Sequence, residues 1–139
     1  MSIFDSFNIN TSGLSLERLK LDTISTNIAN VNTTRTEEGG PYKRKEVMFQ
    51  ESLKKASATD PTKSAGVKPT QIREDQDTRI IYQPEHPDAD ENGYLELPNV
   101  NLSDEMINMM NTVRTYEANA SAFESSKNMM KKALEISKD

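Results

Sequence analysis

The residues with most capacity for chemistry crowd into one run, His86-Pro-Asp88-Ala-Asp90-Glu-Asn92-Gly93. Oxygen donors at alternate positions followed by a glycine open a calcium loop of the helix–loop–helix type. The remainder of such a loop is missing. Its twelfth position is Asn99 rather than a bidentate Glu, Pro84 and Pro87 oppose an entering helix, and Pro98 opposes a leaving one. A hairpin turn at Asn92-Gly93 fits these residues better. His86 is the single histidine of a chain without cysteine, so an imidazole metal site or a Ser-His pair has no second member. A surface loop is its expected place. The carboxylate pairs Glu37-Glu38 and Asp88-Asp90 stand in turn-like segments, where nothing buries them enough to tune a general acid or base. No glycine-rich phosphate loop is present. The expected reading of these residues is no enzyme, no cofactor and no metal site, with calcium at Asp88, Asp90 and Asn92 kept as the weaker alternative to a turn.

Bulk properties narrow the class. A length of 139 residues suits one domain, and an apolar content of 34% permits a modest core. Mean hydropathy is −0.76. Net charge is −5, and the basic stretch Pro41–Lys45 with Tyr42 reads as a solvated strand face, so nucleic acid is not an expected partner. The opening MSIFDSFNIN has neither a basic start nor a continuous apolar stretch, which argues against a cleaved secretory signal. Nothing approaches the roughly 18 apolar residues of a membrane span.

Chemistry being sparse, the elements themselves hold the information. Met106, Met109, Val113, Tyr116, Ala120, Phe123, Met130 and Leu134 follow an alternating three-and-four spacing broken only by Lys127. That is a coiled-coil seam of about four heptads. Ser103 is the expected N-cap, with Asp104 and Glu105 at the positive end of the helix dipole and Lys131, Lys132 and Lys138 at the negative end. A helix from about 103 to 137 would reach roughly 50 Å. At the other end Phe7, Leu14, Leu21 and Ile28 recur every seven, with Ile3, Ile24 and Val31 in the next row and Asn10 and Glu17 as its polar exceptions. Ser2 and Asp5 have capping-box spacing, and Gly13 predicts a frayed or kinked start. Between the helices, residues 42–50, 67–75, 78–84 and 93–98 read as short strands, with a polar loop over Lys54–Gly66.

The expected fold is mainly α with a small β insertion. Long terminal helices over 1–36 and 102–139 pack as a coiled-coil-like pair, with strands and loops over 37–101. Fully burying a Leu, Met or Phe is worth roughly 1.5–3 kcal/mol, and the seams are too long for the small β segment to cover. Their partners must be each other, further copies or other proteins; if the two ends do not pair with each other, they should order only on association.

Three segments are specific in combination: NIANVNTTRTEEGGPYKR at the end of the first helix, HPDADENGYLELPNVN before the last, and RTYEANASAF within it. Together they resemble the flagellar basal-body rod protein C family of bacteria, over nearly the whole chain. The resemblance implies a structural subunit of the proximal rod, in the periplasmic space, which transmits torque for motility. It implies other rod subunits and copies of the same chain as partners in a helical tube, and passage through the flagellar type III export apparatus as an unfolded chain. It also implies an assembly role for Asn27, Ile28, Ala29, Asn30, Asn32 and Thr33, and for Tyr116, Glu117, Ala118, Asn119 and Ala120. Asn and Thr side chains bond well to the free backbone groups of a helix end. The first phrase is accordingly expected to stop the helix and to bond neighbouring subunits through its amides. A calcium-binding module and a coiled-coil adaptor are the rival readings.

Overall fold

A computed structural model describes residues 3–54 and 63–136. In chain order it contains α1 (Ile3–Ala29), β1 (Lys45–Lys54), β2 (Lys63–Glu74), β3 (Thr78–Tyr82), β4 (Tyr94–Pro98) and α2 (Leu102–Ile136). Two long helices thus flank a few antiparallel strands. Ser2 and Lys138, expected at the helix ends, lie outside the described residues, as does the middle of the Lys54–Gly66 loop.

The helices run antiparallel. Phe7 meets Phe123 edge to face with centroids 4.9 Å apart, and Asn27 reaches Glu105 at 3.2 Å. Between these contacts Gly13 abuts Asn119, where an added Cβ would lie 2.9 Å from Nδ2. A side chain at Gly13 would have to displace the Asn119 amide. α1 is one continuous 27-residue helix from Ile3, so Gly13 does not interrupt it. Tertiary packing overrides the weak propensity there.

α2 begins at Leu102, one residue before the expected cap. Asn101 Oδ1 accepts the Ser103 N–H at 2.9 Å, so Asn101 is the N-cap and Ser103 is already helical. At the far end the last turn holds no basic residue. Lys131 and Lys132 lie in the turn before the last described one.

β1 and β2 form a hairpin, and β3 and β4 a second, separate two-stranded sheet. β1 and β2 are ten and twelve residues long, more than the short strands expected. Lys63–Gly66 belongs to β2 rather than to the loop, since the pairing continues out to Lys54↔Lys63 past shifts at Met48/Phe49 and Glu51/Leu53. β3 and β4 pair from Thr78↔Pro98 to Tyr82↔Tyr94. In β4 the alternation of Tyr94–Pro98 buries Leu95 and Leu97, which form a small core with Val100.

α1 lies between α2 and the β1–β2 hairpin. Its buried Leu16 and Ile24, with Val47 from β1 and Tyr42 from the preceding segment, are the apolar part of this layer. Ser12 joins the two elements: its Oγ accepts the Val67 N–H at 3.1 Å and donates to Ile9 O at 2.7 Å.

Candidate functional site: a buried amide node and an uncovered helix face

At the C-terminal end of α1 the chain must stop a helix and turn without glycine. Asn30 does much of this. Its Nδ2 donates to Thr26 O at 2.9 Å, its Oδ1 accepts from Thr33 Oγ1 at 3.1 Å, and its backbone O accepts the Thr33 N–H at 3.1 Å. Carbonyls left open by the last turn are thus met locally. The Asn and Thr residues end the helix as expected.

Asn27 is placed differently. It is only 1% exposed, and its amide is fully occupied within the chain. Oδ1 accepts the Tyr42 hydroxyl at 2.9 Å and the Lys45 N–H at 2.9 Å. Nδ2 donates to Lys45 O at 2.8 Å and to Glu105 Oε2 at 3.2 Å. Two donors and two acceptor lone pairs are all that a carboxamide offers. None remains for a neighbouring chain. Glu105, also 1% exposed, takes two bonds from Arg44 on its other oxygen, from Nε at 2.8 Å and from a terminal nitrogen at 2.7 Å. One compact polar cluster therefore joins α1, the segment entering β1, and the first turn of α2.

Tyr42 feels this cluster. Burial raises its phenol above the ordinary value, and the carboxylates of Glu74 and Glu105 add to the shift. A phenol whose folded pKa is raised stabilises the fold fully below the unfolded value of about 10, and that contribution fades as pH rises through the folded value. Urea unfolding between pH 8 and pH 11 should show stability falling above about pH 10. In Tyr42→Phe the fall should be shallower, with a lower plateau at pH 8.

On α2 the single apolar seam resolves into two faces. Facing α1 are the half-buried Met109, Asn119, Ala120, Phe123 and Met130, with Glu105, Thr112 and Ser126 fully buried. Glu105, Thr112, Asn119 and Ser126 recur every seven residues, a polar row that a search for apolar positions passes over. Its burial is satisfied rather than costly: Thr112 Oγ1 donates to Asn108 O at 2.8 Å and Ser126 Oγ to Ala122 O at 2.9 Å. This row turns α2 so that Met106, Val113, Tyr116, Glu117 and Leu134 are exposed. Leu102, Met106, Met110 and Val113 follow one another at four- and three-residue spacing, each 38–54% exposed.

α1 presents its expected row more faithfully. Phe7, Leu14, Leu21, Ile28 and Val31 are half-buried and Ile24 is buried, while Ala29 and Asn32 are exposed and Thr33 is half-buried. Nothing is described of the Ile3 side chain. The polar exception Glu17 is buried at 6% exposure and pairs with Lys20 at 3.0 Å.

The acidic run does local work. Asp90 Oδ1 accepts the N–H groups of Asn92 at 2.9 Å and Tyr94 at 2.7 Å, and Gly93 closes the turn with φ of +81°. The turn lies within a longer hairpin loop over 83–93 rather than making a two-residue connection. Asp88 bonds Thr34 at 2.8 Å, with Arg35 at 3.8 Å, and so ties this loop to the segment after α1. His86 Nδ1 accepts the Asp88 N–H at 3.1 Å. Among the described residues no three His, Cys, Asp or Glu side chains converge as metal ligands.

Comparison with known proteins gives a consistent picture. Residues 7–35 match the family model described as flagella basal body rod protein, and residues 91–136 match that of the flagellar basal body rod FlgEFG protein C-terminal. The chain is 40% identical over 149 residues to the flagellar basal-body rod protein FlgC of Borreliella burgdorferi, covering 98% of each chain. It is 37% identical over 150 residues to that of Bacillus subtilis, covering 99% of this chain and 100% of the relative. With the Salmonella typhimurium protein it shares 35% identity over 136 residues and 98% of each chain.

Proposed function

The chain belongs to the FlgC family of flagellar basal-body rod proteins and is a structural subunit of the flagellar rod; from that premise we propose that the uncovered face of α2 joins it to its neighbours. Leu102, Met106, Met110 and Val113 support this reading most directly, because the fold leaves them in water beside a helix seam that is already formed. A contiguous exposed apolar strip marks a protein interface, and a helix strip at this spacing suits packing against another helix. The neighbours are other rod subunits and further copies of this chain, arranged as a helical tube in the periplasmic space. The helices face inward as a coiled-coil-like layer and the strands lie outside. Torque passes along the tube, and the role is mechanical rather than catalytic. Delivery is through the flagellar type III export apparatus as an unfolded chain.

Within this reading Asn27 and Asn30 serve assembly from inside the subunit, by fixing where α1 ends and how it meets α2. Val113→Asp is the direct test of the interface. A charge there should reduce incorporation into basal bodies at least tenfold, while the circular dichroism of the purified chain stays unchanged. Normal motility in this variant would refute the assignment of the face.

A further inference from the structure

The Asn27 carboxamide does to Lys45 what a neighbouring strand does. It bonds both the N–H and the C=O of that residue, at 2.9 and 2.8 Å, on the side of β1 away from β2. β1 pairs with β2 alone. Backbone groups of an antiparallel strand alternate in direction every residue. Val47 therefore points its N–H and C=O the same way as Lys45, one strand step beyond the amide that closes the edge.

That edge borders a groove of about 350 Å³ between β1 and α2, floored by α1. Across from Val47 the groove is lined by Asn108, Asn111, Thr112 and Thr115. The Thr112 and Thr115 hydroxyls donate to their own helix, at 2.8 and 2.9 Å, which leaves them only an acceptor role toward anything else. The charged residues of the lining are all paired: Glu17 with Lys20 and Glu105 with Arg44 inside it, Lys45 with Glu74 and Glu46 with Arg73 beyond it. One wall offers main-chain groups and the other offers amides and hydroxyls, with no net charge. With Ile24, Val47 and Phe49 also in the lining, such walls complement an extended polypeptide that brings both main-chain groups and apolar side chains.

We infer that this groove binds an extended segment of a neighbouring rod subunit, which adds to the free edge of β1 where Asn27 leaves off and is held on its other side by Asn108 and Asn111. The inference rests on the rod-subunit reading but not on the α2 face proposed above, which lies on a different side of that helix. The Asn27 amide marks the start of the added strand.

A photo-crosslinking amino acid at Asn111, with Met106 as the comparison position, tests this in assembled basal bodies. Asn111 should crosslink to a neighbouring subunit, at a mapped site within an extended segment. If Met106 joins neighbours while Asn111 joins only its own chain, the groove proposal fails and the rod reading stands. If neither position joins a neighbour, both the groove and the α2 face are refuted. Independently, the double variant Asn108→Leu, Asn111→Leu keeps good helix formers on an exposed surface, so its folding should be intact. It should lower incorporation into basal bodies at least tenfold, and unchanged incorporation would overturn the proposal.

Discussion

Asn27→Ala should lower the unfolding free energy by roughly 3–5 kcal/mol, the range seen when a buried charged or hydrogen-bonded cluster loses one member. Four groups lose their partner at once: the Tyr42 hydroxyl, the N–H and C=O of Lys45, and one Glu105 oxygen. The site is nearly closed to solvent, so water cannot readily take the place of the amide. Asn30→Ala removes two bonds of a half-buried residue at a helix end and should cost about 1 kcal/mol. Urea unfolding followed by circular dichroism gives both values. Equal losses in the two variants would show that the cluster is not a special point of the fold. Motility should follow the same order, with Asn27→Ala the more severe.

Gly66→Ala is expected to be the most damaging single-methyl change in the described chain. Gly66 has φ of +102°, and a Cβ there would overlap Ser12 Oγ and stand 3.3 Å from the Ile9 backbone. The strain of this backbone region costs about 1–3 kcal/mol by itself. Relief of the overlap requires the Ser12 hydroxyl to swing away or the hairpin to move off α1, and either breaks the bond from Val67 to Ser12 at 3.1 Å. A loss of roughly 3 kcal/mol or more should follow. Gly39→Ala separates the two causes. Gly39 has φ of +89° with open space around it, so it should show the strain without the clash, about 1–2 kcal/mol. If the two variants are equally stable in thermal unfolding, the contact between hairpin and helix contributes nothing.

The helices, the strands and the Asn92-Gly93 turn are legible in the sequence because each follows from a local rule of spacing or turn chemistry. Side-chain partners across the fold are not. Asn27 and Asn30 look alike in the phrase Asn27-Ile-Ala-Asn30, yet one is a buried crosspiece and the other a local cap. The difference depends on Tyr42, Lys45 and Glu105, which lie up to 78 residues away. Apolar spacing likewise locates α2 but aims it wrongly. Glu105, drawn inward by Arg44, sets the rotation of the helix and exposes Met106 and Val113. A seven-residue recurrence of Glu, Thr, Asn and Ser was the available sign. It reads as surface until the groups that satisfy it are known.

The antiparallel course of α1 and α2 has a geometrical consequence. Since Phe7 lies by Phe123 and Asn27 by Glu105, the first and last described residues emerge at one pole, and the amide cluster sits at the other. The subunit has an unlike head and tail. Stacked head to tail, such blocks repeat the same contact at each step and build a column that has a direction. A shaft built in this way can tell its base from its tip with no component added to mark either.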